Sequence, residues 1–333
     1  MTFNSNNFII TGGNGYIGSH LALELLKSGH SVISIDNLSN SKIDKVNIFK
    51  KKFPKYTFIQ ADINNPEYIL ERLPNIKYDT LFHMAALKSV TNSYLEERNY
   101  HYVNISGTKE LKKIFLEKKI KNIVFSSTCA VYGESVVLPI DENQLLNPLN
   151  PYAYTKKEAE NILTNYFNDG FFNSLIILRF FNPIGYYDID LFNARSSEDK
   201  NVFEFMIDAV LNERVFKIYG NDYNTKDGTA ERDYVSIKSI ITAHMQCINI
   251  FKDNVRRNIV ANLGSGSPIS VLDLVKLWNS NTKNNLNIKY EYAPRRIGDI
   301  SSIYADNKLA KKILSWNVRH SLSDAVKDTL RCL

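Results

Sequence analysis

An apolar run, Phe8-Ile9-Ile10-Thr11, stops at Gly12-Gly13-Asn14-Gly15-Tyr16-Ile17-Gly18. A helical pattern through Ile17, Leu21, Leu25 and Leu26 starts inside those glycines and closes at Gly29. Glycines between a strand and a helix permit a tight turn, close approach of backbone to a pyrophosphate, and close strand–helix packing. The phosphates then rest on the helix N-terminus. The next apolar run, Ser31–Asp36, ends in a carboxylate. An acid at that place accepts hydrogen bonds from ribose hydroxyls and repels a 2′-phosphate, which favours NAD over NADP. Asn37-Leu38-Ser39-Asn40 follows without an arginine to reverse that preference. For the glycines alone, a merely tight strand–helix connection is the alternative.

The same rhythm continues. Tyr56–Asp62, Thr80–His83 and Asn122–Phe125 read as strands, separated by helical segments around Ile69–Leu73 and Val103–Lys119. Continuous apolar runs alternating with helices predict parallel strands covered on both faces. Such sheets bind ligands beyond the carboxyl ends of their strands, where the polar motifs fall. Asp62 ends the third strand, either facing an adenine or serving as a turn or cap residue. After Leu175–Leu178 the pattern becomes shorter, mixed and polar. The expectation is an α/β protein: a Rossmann-type doubly wound sheet over residues 1–182, then a smaller mixed α/β substrate-binding region over 183–333. Residues 233–263 are a candidate for returning to the sheet.

Asn150-Pro151-Tyr152-Ala153-Tyr154-Thr155-Lys156 sets a tyrosine and a lysine one helical turn apart on one face. A phenol titrates near 10, and an adjacent ammonium favours its phenolate, so Tyr152 is the candidate base and Lys156 its activator. Tyr154 has Glu158 four residues on, which would act in the opposite direction. Ser126-Ser127-Thr128 stands upstream at a strand end; hydroxyls there often satisfy only local backbone, but beside such a pair Thr128 reads as a hydroxyl aimed at a substrate oxygen. Cys129 has no basic neighbour and reads as a small buried residue. Arg232 and Arg296 are candidate diphosphate clamps, since guanidinium forks match phosphate oxygens.

Composition excludes other classes. The net charge is +6, but the lysines are scattered, with short clusters such as Lys50-Lys51-Lys52, so no nucleic-acid partner is expected. No stretch has transmembrane length. Three cysteines, Cys129, Cys247 and Cys332, suggest neither a disulfide framework nor a metal site. With no signal peptide at the N-terminus, a cytoplasmic location is expected. The polar stretch Asn279–Asn287 reads as a surface loop.

Taken in order, Thr11–His20, Ala86–Val90, Asn104–Gly107, Phe125–Gly133, Tyr152–Lys156, Arg179–Gly185, Gly220–Tyr223 with Asp227–Thr229, Arg232–Tyr234, Asn262–Gly264 and Ala293–Asp299 resemble the UDP-glucose 4-epimerase family of extended short-chain dehydrogenases/reductases. The resemblance runs nearly end to end. It implies a homodimer through helices around Val103–Lys119 and Tyr152–Tyr166, bound NAD, and a UDP-sugar substrate. Cofactor contacts would come from Gly12, Gly15, Tyr16, Ile17, Asp36, Asn37, Asp62, Ile63, Lys88, Asn104, Tyr152, Lys156 and Phe180. Substrate contacts would come from Lys88, Thr128, Tyr152, Asn182, Asn201, Arg232, Arg296, Asp299 and Ile303.

By that resemblance Tyr152 removes the 4-hydroxyl proton while C4 passes a hydride to the nicotinamide. Thr128 bonds the reacting oxygen, and Lys156 binds the nicotinamide ribose and lowers the Tyr152 pKa together with the cationic ring. The 4-keto sugar then turns over and takes hydride back on its other face, converting UDP-galactose and UDP-glucose. Three alternatives stand beside it: UDP-GlcNAc/UDP-GalNAc epimerisation, a catalytically silent NAD-binding scaffold, and a nucleotide-sugar 4,6-dehydratase. The last expects an Asp-Glu pair after the threonine, where this chain has Cys129-Ala130. Further departures from the family are Phe180 in place of tyrosine, the loop from Tyr186 to Lys200, Ser236 in place of histidine, and Ile303, intermediate in bulk at a pocket-wall position.

Overall fold

The computed structural model describes residues 6–134, 137–195, 200–282, 286–296 and 299–333. Parts of three segments noted in the sequence lie outside the described residues: 196–199, 283–285 and 297–298.

Seven strands form one all-parallel sheet: β1 (Asn7–Thr11), β2 (Ser31–Asp36), β3 (Tyr56–Gln60), β4 (Thr80–His83), β5 (Asn122–Thr128), β6 (Ser174–Phe180) and β7 (Arg257–Leu263). Their spatial order is β7-β6-β5-β4-β1-β2-β3. The order reverses between β4 and β1, which leaves a crevice at their carboxyl ends. Strand residues alternate between two apolar layers, as the pleat requires. Phe8, Ile10, Val32, Phe82, Val124 and Leu178 face one layer. There they meet α1 (Tyr16–Lys27) and, farther along the chain, Ile237–Ile250. Ile9, Ile33, Leu81, Ile123 and Ile177 face the other layer, against α2 (Gly107–Glu117) and α3 (Pro151–Asn168). Each fully buried aliphatic side chain contributes about 1.5–3 kcal/mol, so the two layers dominate stability. The fold is therefore the doubly wound α/β arrangement expected.

The chain crosses between its two regions more than once. Helix Ile237–Ile250 and β7 lie with the sheet, while Tyr234–Ser236 pairs with Asn182–Ile184. A later return was not legible in the sequence: Ala310, Leu314 and Trp316 join the first layer, and the Trp316 indole donates to Ser239 O at 2.8 Å. The smaller region builds its own core from Tyr186, Phe192, Phe203, Trp278 and neighbours. Its short strands pair both ways: Phe216–Tyr219 runs parallel with Tyr290–Ala293, and Glu231–Arg232 pairs antiparallel with Ile269–Ser270 and parallel with Ser302–Ile303.

The departure at Ser236 has a structural reading. Its hydroxyl caps helix Ile237–Ile250 by accepting from Lys238 N at 3.2 Å, and pairs with His320 Nδ1 at 2.7 Å. His320 in turn reaches Asp328 at 3.0 Å, so the three side chains clasp the C-terminal helix Leu322–Leu330 to the sheet region.

Candidate active site

The crevice at the strand-order reversal is an open cleft of about 580 Å³, lined by the glycine turn, Asp36, Asp62, Ile63 and the loop after β4. Its floor admits only glycine at two places. Gly12 has φ +68, and a Cβ there would lie 2.6 Å from Ala85 N; one on Gly18 would lie 2.2 Å from Gly12 O. The backbone thus lies bare against the cleft, with the first turn of α1 opening from Gly15. Asp36 closes one side. Its Oδ1 accepts from Leu38 N (2.9 Å) and the Ser41 hydroxyl (3.1 Å), and its Oδ2 from Asn14 N (3.1 Å). Two oxygens with about four lone-pair sites keep capacity for a ribose hydroxyl. Burial pushes the Asp36 carboxyl up, and these hydrogen bonds oppose that. The chemistry of this donor and acceptor set fits a dinucleotide without a 2′-phosphate.

Other expected cofactor residues sort into those that face the cleft and those that shape it. Asn37, Asp62 and Ile63 line it. Asp62 also accepts from Asn64 N at 2.8 Å, so the carboxylate serves as a turn anchor as well. The Tyr16 hydroxyl donates to Gly185 O at 2.6 Å, spanning to the smaller region, and Ile17 packs on the core; what these two offer a phosphate is backbone. Asn104 is 2% exposed, and its amide is spent on Leu87 N, Leu87 O and the Thr155 hydroxyl at 2.8–3.0 Å. It ties the loop after β4 to α3. Phe180 sends its ring into the core beside His244, leaving backbone for any cofactor contact. Lys88 is exposed on the loop after β4.

The acid–base corner lies at the carboxyl end of β5. Asn150 caps α3 by accepting from Ala153 N at 2.8 Å, and Pro151 occupies the first turn. This start sets Tyr152 and Lys156 on the inward face, with the Tyr152 phenol hydrogen-bonded to Thr128. Tyr154 is exposed and stacks on His101 instead. Lys156 is 3% exposed, its Nζ 4.1 Å from the Phe125 ring centroid.

Burial shifts both members of this pair. Burial pushes the phenol above its ordinary value, and the Thr128 bond only partly opposes this. Lys156 itself is lowered to about 7 by the same burial, with Glu160 pulling it back up. Desolvation disfavours both charged forms and is the largest cause of each shift. Burial also pushes the Cys129 thiol up to about 12, which makes it a poor nucleophile.

Of the expected diphosphate residues, Arg232 stands near the turn after Thr128. Arg232 pairs with Asp299 and donates to Glu231 O at 2.7 Å. Its charge acts on Cys129, next to Thr128. Ile303 pairs in register with Arg232 and is buried with Val131, Tyr132, Ile140 and Phe181, against Cys129. Arg296 lies with its guanidinium 4.1 Å from the Tyr219 ring centroid. Asn201 is spent as a helix cap: its side chain accepts from Glu204 N and the Glu204 carboxylate accepts from Asn201 N, both at 3.0 Å. Asn182 sits on the short strand beside Tyr234.

Sequence reasoning missed two features. Lys45 is 4% exposed and donates to Asn14 O of the glycine turn at 3.1 Å. Glu160 lies beneath Lys156, and its position four residues on was the available signal.

Residues 9–329 match the family model described as GDP-mannose 4,6 dehydratase. Over 329 residues the chain is 34% identical to a UDP-glucose 4-epimerase of Neisseria meningitidis serogroup A, covering 98% of this chain and 96% of the relative. The chain belongs to the UDP-glucose 4-epimerase family. It superposes with a TM-score of 0.90 and 32% identity on the UDP-glucose 4-epimerase of Stenotrophomonas maltophila, crystallised with NAD and formylated UDP-arabinopyranose, over 98% of this chain and 97% of that one. The UDP-Glc/GlcNAc 4-epimerase of Campylobacter jejuni matches with a TM-score of 0.82 and 27% identity, over 98% and 99%. The dehydratase name of the family model describes a shared scaffold. The two positions after Thr128 here are Cys129 and Ala130, which supply neither acid nor base for eliminating water.

Proposed function

We propose that the protein is an NAD-dependent UDP-hexose 4-epimerase, an isomerase that interconverts UDP-galactose and UDP-glucose through a 4-keto sugar. The observation carrying this is Thr128, Tyr152 and Lys156 together at the end of β5, with no acid or base following Thr128. Gly12, Gly15, Asp36, Asn37, Asp62 and Ile63 would hold the dinucleotide, with Lys156 at its ribose. NAD bound there supplies the hydride acceptor and a positive charge beside the phenol. Tyr152 takes the sugar's 4-hydroxyl proton at its phenol oxygen and later returns it, and Thr128 bonds that same oxygen atom of the sugar. Arg232, paired with Asp299, and Arg296 would hold the diphosphate end, and Asn182 would line the sugar, while the hexose, gripped less firmly, presents its second face. The test is UDP-galactose with purified protein and no added cofactor; appearance of UDP-glucose is expected, and no turnover despite bound NAD would sink the reading.

A second substrate pair, UDP-GlcNAc and UDP-GalNAc, is favoured by one observation: Ile303 is smaller than an aromatic wall and sits beside Arg232. The same assay on the N-acetylated pair decides it. Our reading of the assembly is a homodimer through α2 and α3, supported by exposed Leu116 and Tyr154 on those helices. No helix of the described residues is long and apolar enough to cross a membrane. Cytoplasmic residence is our reading, supported by the three free cysteines.

A further inference from the structure

We infer that Glu160 is a positioning residue for the reaction: its buried carboxylate locks α3, which carries Tyr152 and Lys156, to the strand carrying Thr128. This rests on the epimerase reading. Arg179 grips Glu160 with both arms of its guanidinium, Nε to Oε1 at 3.0 Å and Nη2 to Oε2 at 2.6 Å. The Ser127 hydroxyl also donates to Oε1. The third arm of Arg179 donates to the Tyr132 hydroxyl at 2.9 Å, which donates to Asn262 Oδ1 at 2.7 Å. All five residues are 5% exposed or less. The network thereby joins β5, the turn Cys129–Tyr132, α3, β6 and β7, the elements around the acid–base corner.

Stability alone does not explain such a pair. Taking two charges out of water costs about as much as their attraction returns, and apolar replacements of similar volume are often neutral. Placement does explain it. Ser127 immediately precedes Thr128, and Glu160 follows Lys156 by one turn, so each contact of the carboxylate fixes a neighbour of a reacting group. The charged and titratable groups around Lys156 are few. Tyr152 and Glu160 come from its own helix and His83 from β4, with Arg179 on β6 behind Glu160. Burial keeps His83 neutral, at about 3. Glu160 is the carboxylate that acts on Lys156 to retain its proton, against the burial that lowers it.

The test compares wild type with Glu160→Gln and with the double variant Glu160→Met/Arg179→Met. The double variant removes both buried charges at similar volume and covers the case where the single one fails to fold. Lysines are labelled with carbon-13 at the ε position, and the Lys156 signal is assigned by its loss in Lys156→Met. The Lys156 titration is expected to move down by roughly one pH unit in Glu160→Gln, and by less in the double variant, where the Arg179 cation is removed as well. The alkaline limb of kcat for UDP-galactose should move down with it, while the KM changes by less than about 2-fold. Unmoved titration and limb in an active, folded variant would overturn the role of Glu160 and leave the epimerase reading standing. A wild type that binds NAD yet does not turn over UDP-galactose would instead remove the epimerase reading, while the titration still reports on Glu160.

Discussion

The two ends of the site are built differently. Around Tyr152 and Lys156, the supports come from buried or half-buried groups of the chain itself: the half-buried Asn150 cap, the buried Thr155–Asn104 bond, and the buried Glu160–Arg179–Ser127 network. At the proposed diphosphate end, the cations are engaged by partners nearer water. Arg232 holds Asp299, Arg295 holds Asp222 at 2.6 Å, and Arg296 lies on Tyr219. The first end is fixed before any ligand arrives. The second is a set of pairs that an anion must join or displace. That difference suits a reaction in which proton and hydride positions tolerate little error, while the sugar has to be turned between two faces.

The sharpest way to break the comparison is to remove the base. Tyr152→Phe deletes one oxygen from the rigid end and leaves the glycine cleft untouched. We expect kcat to fall about 10³-fold, within the range for losing a positioned acid–base group, with NAD content of the purified protein unchanged. Retention of near-normal turnover would move the base elsewhere and dissolve the contrast between the ends.

How much of this was legible follows from how local each signal is. The glycine turn, Asp36 and the Tyr152–Lys156 spacing are short-range patterns with a direct backbone cause, and each stands where its motif placed it on the sheet. What the sequence hid was long-range. The Asn104 amide is consumed by Leu87 and Thr155, Asn201 is a helix cap, and Phe180 turns into the core; none of these follows from spacing. Nor does the depth at which Tyr152 and Lys156 are buried, since a motif shows the neighbouring ammonium but not what covers it. Trp316 reaching Ser239 joins residues 77 apart, beyond any periodicity.

At the diphosphate end the expected effects are smaller and appear in binding. Arg232→Gln keeps a donor but loses the charge and the fork, and frees Asp299 at a partly exposed position. Charged hydrogen bonds are each worth about 1.5–3 kcal/mol, so the KM for UDP-galactose should rise about 10–100-fold with kcat changed by only a few-fold. Equal losses in kcat and kcat/KM would instead show that Arg232 acts in the chemical step, and that the two ends are less separate than their packing indicates.

The mildest change sharpens the boundary between the ends. Ile303 is registered with Arg232 on the neighbouring strand and belongs to the buried cluster against which Cys129 packs, so it lies between the two ends. Ile303→Val removes one methylene from a buried cluster, which costs about 0.5–1.5 kcal/mol and lowers Tm by about 1–3 °C. In the proposed site the same methylene would belong to the wall that limits the 2-substituent of the sugar. One methylene in an apolar pocket is worth about 1–3 kcal/mol of discrimination when fully in contact. Ile303 is mostly covered by its own cluster, so only part of that reaches the ligand. The ratio of kcat/KM for UDP-GlcNAc over UDP-glucose should therefore rise about 2- to 5-fold. An unchanged ratio with the Tm loss intact would assign Ile303 to the core beneath the turn and move the choice of sugar to other residues of the wall.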